Sequence, residues 1–422
     1  MKNLSFSLLL YFPFFISCQE NSQTQDQQWF RDVDNEMVID LNNLTYTIAN
    51  EHDHFYSFIG VRTLAMVHLA IHDIFNGAEP QFNQYHWKKN VKNANPFAAA
   101  VESTRMILTK AYPKRTDTIE AVCNSWLKRL GDTTAMKEGM MLGNEVAKAY
   151  LQLRDNDGHE KEGDYTPMTK PGAYQYTPGN NDWVLRPDFT VARTFTLDSL
   201  PQFRSPKPPS ISSDEYLESY NEVKKYGAKD SKARTEDQTN YAHWWAEFGE
   251  HGWNRIGRIT AKEENMPIIE TNRMFALFNM TLYDLYLASL ESKYYYDTWR
   301  PYTAIRNGEI DGNPDTQGDQ DWEPEMQTPP WPEYPSAHAA VGVAGAEIFS
   351  DIYGTPDVSF TMESVTALPG SKIRSYNNLD SAAKDCSRSR IMNGFHFRFA
   401  TEEGERQGRK IARHTLANYL IK

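Results

Sequence analysis

The chain passes from a proline-rich segment into a helix at WPEYPSAHAAVGV, residues 331–343. Ser336 stands immediately before a run of Ala, Gly and Val, which is the pattern of a helix N-cap. His338 is therefore predicted to lie in the first helical turn, where unpaired backbone N–H groups favour a bound anion. The segment thus predicts an anion site at the start of a helix.

Helical periodicity extends from this segment over most of the chain. Apolar residues recur at three- and four-residue spacing in VRTLAMVHLAIHDIF, residues 61–75. No alternating strand pattern extends far. We therefore predict an all-α protein built from helical bundles, with the anion site in the core of the C-terminal bundle. The same helical spacing marks residues 97–111, 133–154, 213–226, 235–248, 255–262, 272–299 and the segment from Leu379 to the C-terminus.

The overall composition is that of a globular protein with a negative net charge. Of the 422 residues, 40% are hydrophobic and 24% are charged, and a chain of this length can bury a large core. The formal charge of −12 disfavours nucleic acid as a partner and predicts repulsion from anionic surfaces. A cationic site in this protein must therefore be a local feature.

The N-terminus, MKNLSFSLLLYFPFFISC, has the pattern of a secretory signal. Its end, FISC, resembles the cleavage box of bacterial lipoproteins, in which the cysteine, here Cys18, becomes lipidated. We expect export to the periplasm or the outer cell surface, either with membrane attachment through Cys18 or as a secreted protein. The expected organisation is a signal peptide in residues 1–18, a tether in residues 19–35 and a helical unit in residues 36–422, with halves of about 36–230 and 231–422.

Two long segments rich in Pro, Gly, Asn and Asp interrupt the helices, at residues 155–213 and 308–335. The second leads into the helix that contains His338. A long loop in a compact protein is usually a functional cover or a surface wrap. The first segment is therefore predicted to cover a site or wrap the surface.

The remaining histidine and cysteine patterns have simpler interpretations. His68 and His72 lie one helical turn apart, a spacing that can hold a metal, but no further ligands stand nearby. We interpret them as core histidines satisfied by hydrogen bonds. Cys123 and Cys386 either form a disulfide in an exported protein or remain buried free thiols, and the sequence leaves both alternatives open.

A second segment with suitable charges is KYYYDTWRP, residues 293–301. Lys293 and Arg300 are two helical turns apart and are predicted to project from one face of a helix. Pro301 is predicted to end that helix at Arg300, which would leave the guanidinium near a helix terminus.

A third segment, SRIMNGFH at residues 389–396, adds Arg390 and His396. Together the three segments offer three cations, a serine hydroxyl, the backbone N–H of Ala337 and two imidazoles. Gathered in one pocket, these groups would be costly to bury unless a multiply charged oxyanion neutralised them. Phosphate or its shape analogue vanadate fits, because planar arginine side chains pair with its oxygens and lysine acts as a point charge.

These segments resemble those of a known superfamily, the phosphatidic acid phosphatase type of phosphatases together with the vanadium-dependent haloperoxidases. Its members share Lys-x6-Arg-Pro, Pro-Ser-Gly-His and Ser-Arg-x5-His. Within it, the chain looks like the bacterial haloperoxidase branch, since the first motif continues as KYYYDTWRPYTAIR. Upstream segments agree with this resemblance: RTLAMVHLAIHDIFN (62–76), NEVAKAYLQLRDNDG (144–158), FRSPKPPSISSDEY (203–216) and RTEDQTNYAHWWAE (234–247).

The resemblance implies vanadate as the cofactor, with hydrogen peroxide and a halide as substrates and a small organic molecule as acceptor of hypohalous acid. His396 would bind vanadium, His338 would transfer protons, and Lys293 would also draw electron density from peroxide. Trp331 stands where the family often has an aromatic residue beside the halide path. The residues implied to hold the oxyanion are Lys293, Arg300, Ser336, Ala337 through its backbone N–H, Arg390 and His396.

Two positions depart from the superfamily pattern. Ala337 replaces the usual glycine, which keeps the backbone N–H but adds a methyl group near the site. Ala400 stands where the phosphatases often have an aspartate that orients the histidine. The second ring nitrogen of His396 is therefore expected to find another partner, for instance a backbone carbonyl.

The leading hypothesis is an exported vanadate-dependent haloperoxidase, with iodide or bromide favoured as the halide. An acid phosphatase that uses His396 as its nucleophile is the first alternative, because the same groups stabilise a phosphoryl transition state. A non-catalytic oxyanion-binding surface protein is the second. Halide specificity, the organic substrate and the oligomeric state stay open at this stage.

Overall fold

The structure is a computed structural model that describes residues 29–31, 33–53, 57–161, 163–180, 182–185 and 187–422. Side chains of residues 53 and 57–59 are not part of the description. The predicted signal peptide, Cys18 and most of the predicted tether lie outside the described residues. Their assignment stays a prediction.

The described residues are mainly helical, which confirms the all-α prediction. No helix among them is both long and apolar enough to cross a membrane. A single hairpin, too short to leave an alternating sequence pattern, pairs β1 with β2 in antiparallel orientation. The elements are α1 Glu36–Asp53, α2 Ser57–Ala78, α3 Pro96–Ala111, α4 Thr116–Leu130, α5 Thr134–Leu153, α6 Asp214–Tyr226, α7 Glu236–Trp244, α8 Gly249–Glu263, α9 Ile268–Tyr296, α10 Pro301–Arg306, α11 Ala337–Tyr353, β1 Phe360–Glu363, β2 Ile373–Tyr376, α12 Leu379–Met392 and α13 Arg398–Asn418.

Helix α9 is the central element of the fold. It is 29 residues long and is buried on nearly all sides, which accounts for its apolar residues around the whole circumference. It packs against α2 from the N-terminal half and against α11 and α13 from the C-terminal half. Its last two turns, which contain Lys293 and Tyr294, also contact the N-terminal half, because the Tyr294 hydroxyl donates to the Leu185 oxygen.

The end of α9 differs from the prediction that Pro301 would stop the helix at Arg300. The helix ends at Tyr296, and Asp297 adopts a left-handed conformation with φ 51°. Arg300 is extended, as expected for a residue before proline, and Pro301 takes the first position of α10, where its missing N–H is no disadvantage. Lys293 and Arg300 are consequently not on one helix face, and a loop brings them together.

The start of α11 follows the prediction and is held in place by α13. Ser336 is the N-cap, and its side chain accepts a hydrogen bond from the backbone N–H of Ala339. A Cβ atom added to Gly404 or Gly408 of α13 would lie 2.2 Å from the carbonyl oxygen of Ser336 or Ala340, respectively. The two backbones touch at these glycines, so α13 fixes the position of the first turns of α11.

Replacing Gly404 with Ala should therefore push α13 away from the start of α11. We expect a loss of stability of about 1–3 kcal/mol from overpacking, together with weaker oxyanion binding, measured by denaturant unfolding and calorimetry. Lys410→Ala, an exposed change on the same helix, is the control and should alter stability by less than about 0.5 kcal/mol. Equal behaviour of the two variants would contradict the close contact.

The histidines and cysteines set aside above occupy buried positions. The ring nitrogens of His68 lie 2.9 Å from Asn272 Oδ1 and 3.0 Å from Asn42 Nδ2. The backbone oxygen of Asn83 lies 3.1 Å from His72 Nε2, and the part of the chain that the structure describes holds no cluster of three metal-type ligands. Both histidines are hydrogen-bonded core residues.

Cys123 and Cys386 are buried free thiols. Of the two alternatives that the sequence left open for them, the structure shows the one without a disulfide.

Candidate active site

A cavity of about 500 Å³ lies beside the C-terminal end of α9 and the N-terminus of α11. Lys293, Ala337, His338, Arg390 and His396 line one end of it. Both long loops contribute to its wall, residues 180 and 185 from the first and residues 326–331 from the second. The three sequence segments predicted to form an anion site thus meet at one cavity. Arg300 and Ser336 are fully buried next to the lining residues.

Lys293 is completely buried and donates hydrogen bonds to two backbone carbonyls. Its Nζ lies 3.1 Å from the Pro332 oxygen and 2.8 Å from the Glu333 oxygen. Burial, together with the nearby Arg300 guanidinium, lowers the pKa of Lys293 well below its ordinary value. An anion in the cavity would counter both effects and favour the charged ammonium.

Arg300 is held by carbonyl oxygens but keeps one donor group unused. Its Nε donates to the Trp331 oxygen at 2.8 Å, and its Nη1 donates to the Phe395 oxygen at 2.9 Å. Its Nη2 is buried, and no described residue accepts a hydrogen bond from it. Burial lowers the pKa of Arg300 to about 10. An unpaired buried guanidinium nitrogen indicates a missing acceptor, as an oxyanion would be.

Arg390 reaches the cavity from α12. Its Nε donates to Ser389 Oγ at 2.9 Å, and its Nη2 donates to the Trp245 oxygen at 2.7 Å. Only 4% of Arg390 is exposed, and burial lowers its pKa to about 10. Like Lys293 and Arg300, this cation is solvated by neutral oxygens and is not neutralised by them.

His396 has its two ring nitrogens fixed by groups of opposite character. Its Nδ1 lies 2.8 Å from Glu333 Oε1, and its Nε2 lies 3.1 Å from Arg300 Nη1. Since arginine can only donate, Nε2 accepts, and Nδ1 carries the proton toward the carboxylate. Burial and the neighbouring cations lower the pKa of His396 well below its usual range. The ring is therefore neutral, with the Nε2 lone pair directed at the cationic groups.

Glu333 is the functional residue that the sequence reasoning missed. The expected partner of His396 was a backbone carbonyl, but a carboxylate from outside the SRIMNGFH segment takes this place. Its Oε1 also accepts from the Phe397 N–H at 3.0 Å, and its Oε2 has no hydrogen-bond partner among the described residues. Burial raises the pKa of Glu333 to about 7, against the lowering effect of Arg300 and Lys293. Its position inside WPEYPSAH, a segment predicted to enter the core, was the available signal.

His338 lies in the first turn of α11, as predicted. Its Nε2 is shielded from solvent and has no hydrogen-bond partner in the described part of the chain. Burial and then the charge of Arg390 lower the pKa of His338 well below its usual range. It is thus a neutral imidazole with a vacant nitrogen at the cavity. Trp331 lines the same cavity. The guanidinium carbon of Arg300 lies over its indole ring, 5.7 Å from the centroid of that ring.

The arrangement fits a multiply charged oxyanion. The three cationic side chains outnumber the two carboxylates at the cavity, Glu333 and Glu250. One arginine nitrogen and one histidine nitrogen also lack partners within the described residues. Ala337, the first residue of α11, lines the same cavity, and the unpaired backbone N–H groups at a helix start favour an anion. The fold and the site together define a helical-bundle protein with a buried cavity whose groups suit an oxyanion.

Comparison with known proteins confirms the predicted resemblance to the bacterial vanadium-dependent haloperoxidase family. Residues 273–420 match the family model of the VCPO second helical-bundle domain. The vanadium chloroperoxidase of Curvularia inaequalis is 25% identical over 393 residues, which cover 74% of this chain. The match spans 63% of that longer relative.

Solved structures show the same fold. A bacterial vanadium-dependent iodoperoxidase superposes with a TM-score of 0.79 at 22% identity, over 93% of this chain and 98% of the other. The holo form of a bacterial vanadium-dependent chloroperoxidase superposes with a TM-score of 0.66 at 16% identity, over 85% and 90% of the two chains. The fold of this protein, across both halves, is therefore that of the vanadium haloperoxidases.

The role of Glu333 can be tested with inorganic phosphate as the probe. Glu333→Ala should weaken phosphate binding by about 10- to 100-fold, because His396 loses the partner that fixes its orientation. Glu333→Gln keeps an acceptor for Nδ1 and should recover most of the affinity, as measured by calorimetry. If both variants bind phosphate as the parent protein does, Glu333 does not position His396.

Proposed function

We propose that this protein is a vanadate-dependent haloperoxidase, which oxidises a halide with hydrogen peroxide to hypohalous acid. The observation that carries the proposal is the neutral His396 imidazole, whose Nε2 accepts from Arg300 among three buried cationic side chains. A neutral imidazole nitrogen is a good metal ligand, and buried arginine and lysine side chains suit the oxygens of vanadate. Neither feature has a use in a core without an anion.

Each residue of the site has a distinct task in this proposal. His396 would hold vanadium through Nε2, with Glu333 fixing the ring. Lys293, Arg300 and Arg390 would hold the oxygens, together with the Ser336 hydroxyl and the backbone N–H of residue 337. When bound, vanadate supplies a Lewis-acidic centre that activates hydrogen peroxide toward attack by the halide.

His338 is proposed as the acid–base group. It is neutral, and its Nε2 has no hydrogen-bond partner among the described residues, so it can accept a proton from hydrogen peroxide as that substrate enters. Returning the proton to a leaving oxygen would complete the cycle. Lys293 would stabilise negative charge on the same oxygens, since its ammonium is excluded from water.

Iodide and bromide are the proposed halides. Iodide is the easiest halide to oxidise, and the fold neighbour with the TM-score of 0.79 is an iodoperoxidase. We also propose that the protein works outside the cytoplasm, on the basis of the signal-like N-terminus.

Phosphatase activity is the second candidate, and one observation favours it. Phosphatases of the superfamily often have an aspartate where this chain has Ala400, and its absence argued against a histidine that accepts a phosphoryl group. Glu333, however, supplies a carboxylate 2.8 Å from His396 Nδ1. A histidine oriented in this way can attack phosphorus through Nε2. Hydrolysis of phosphate esters should therefore be measured beside halide oxidation, with and without orthovanadate.

Replacing His396 with Ala should abolish peroxide-dependent triiodide formation and prevent tight binding of orthovanadate. The reason is the loss of the only proposed bond from protein to metal. His243→Ala is a matched control, because His243 pairs with Glu325 away from the cavity and should leave oxidation intact. An active His396→Ala protein would rule out the assignment.

Replacing His338 with Ala should separate turnover from cofactor binding. We expect iodide oxidation at saturating vanadate to fall by about 100-fold or more, whereas vanadate affinity changes little because the other ligands remain. Calorimetric titration with orthovanadate and a rate assay on the same preparation measure the two effects. A parallel collapse of affinity and rate would make His338 a cofactor-holding residue and not an acid–base group.

A further inference from the structure

The cavity extends well beyond the cationic end. Its volume of about 500 Å³ lies in the range of about 300–1,000 Å³ that is usual for small-molecule sites, and a single tetrahedral oxyanion is far smaller. The rest of the lining is mainly apolar, and its apolar wall is formed by Leu185, Phe248, Leu290, Met326, Pro329 and Pro330. An anion site alone gives no reason for such a wall.

This apolar wall is fixed by hydrogen bonds between the two long loops. The backbone N–H of Leu185 donates to the Pro330 oxygen at 2.9 Å, and Asn180 Nδ2 donates to the Thr328 oxygen at 3.2 Å. Tyr294 of α9 donates its hydroxyl to the Leu185 oxygen. Leu185 and Thr328 are almost completely buried. The apolar wall is thus a formed surface around an interior space, as ligand sites usually are.

The charges on the wall define the class of ligand. Glu250 lines the cavity beside Phe248, is 1% exposed and accepts a hydrogen bond from the Tyr286 hydroxyl. This carboxyl group disfavours an acidic group on a molecule that packs against Phe248. The aromatic rings of Phe248 and Trp331 can pack against a flat ring. An uncharged aromatic molecule suits these walls better than a charged one.

We infer that the apolar wall binds an uncharged aromatic molecule, such as an alkylphenol, which is halogenated inside the cavity. This rests on the proposed function, which supplies the hypohalous acid. As the ring carbon attacks the halogen, the carbon–halogen bond forms and the oxygen–halogen bond breaks. The proton lost from that carbon combines with the departing hydroxide to give water. The substrate class is therefore set by the wall, and the oxidant is made a few ångströms away at the cationic end.

Binding can be measured without cofactor, halide or turnover. Calorimetry with 4-propylphenol should show one saturable site, and Met326→Asn should weaken it by about tenfold, the loss expected for burying a polar group in place of an apolar one. Met168→Asn is the matched control, because Met168 is 43% exposed and does not line the cavity. Absence of saturable binding, or equal affinity of the two variants, would overturn the inference.

Turnover provides the second measurement. The enzyme is given iodide, peroxide and equal amounts of 4-propylphenol and 4-hydroxybenzenesulfonate. The ratio of iodinated propylphenol to iodinated sulfonate should be at least tenfold higher than the ratio that reagent hypoiodite gives. Met326→Asn should return this ratio to the reagent value, and triiodide formation assayed without phenol is measured on each preparation to normalise the ratio. A ratio equal to that of the reagent in the parent enzyme would show that halogenation occurs in solution and overturn the inference. Absence of triiodide with intact phenol binding would instead refute the haloperoxidase function.

Discussion

Three cationic side chains are buried beside one carboxylate where the end of α9 meets the start of α11. Lys293, Arg300 and Arg390 make their hydrogen bonds chiefly to backbone carbonyl oxygens. Carbonyl oxygens replace lost water without cancelling positive charge, so the cluster is stable enough to form yet remains attractive to an anion. The cations therefore depend on the loops that carry these carbonyls and on the helices that hold the loops in place.

The carboxylate of Glu333 has two effects on the cluster. It reduces the excess positive charge, and it fixes the proton of His396 on Nδ1, so that Nε2 faces Arg300 as an acceptor. A carbonyl oxygen in the same place would fix the proton but leave the charge unchanged. The choice of a carboxylate therefore links the orientation of the histidine to the charge of the whole site.

The residues that meet at the cavity were predictable from the sequence, because residue type and spacing define the three segments. The N-cap at Ser336 and the helical class were predictable for similar local reasons. The path of the chain from Lys293 to Arg300 was predicted wrongly, because a left-handed Asp297 ends α9 early and local periodicity does not report such a turn. The contact between Glu333 and His396 joins residues 63 positions apart, and no local pattern in a single sequence encodes it. Whether Cys123 and Cys386 form a disulfide likewise depends on the tertiary fold, because the two residues lie far apart in the sequence.

The hydrogen bond between Leu185 and Pro330 joins the two halves of the chain at the cavity. All of the predicted anion-contacting side chains lie within residues 293–396, but Leu185 and Phe248 of the wall, and the Trp245 carbonyl that holds Arg390, come from earlier in the chain. Leu185 lies in the N-terminal half, and Phe248 precedes the first of the predicted anion-contacting residues. Substitutions at either position can therefore change the shape of the cavity while residues 293–396 keep their sequence.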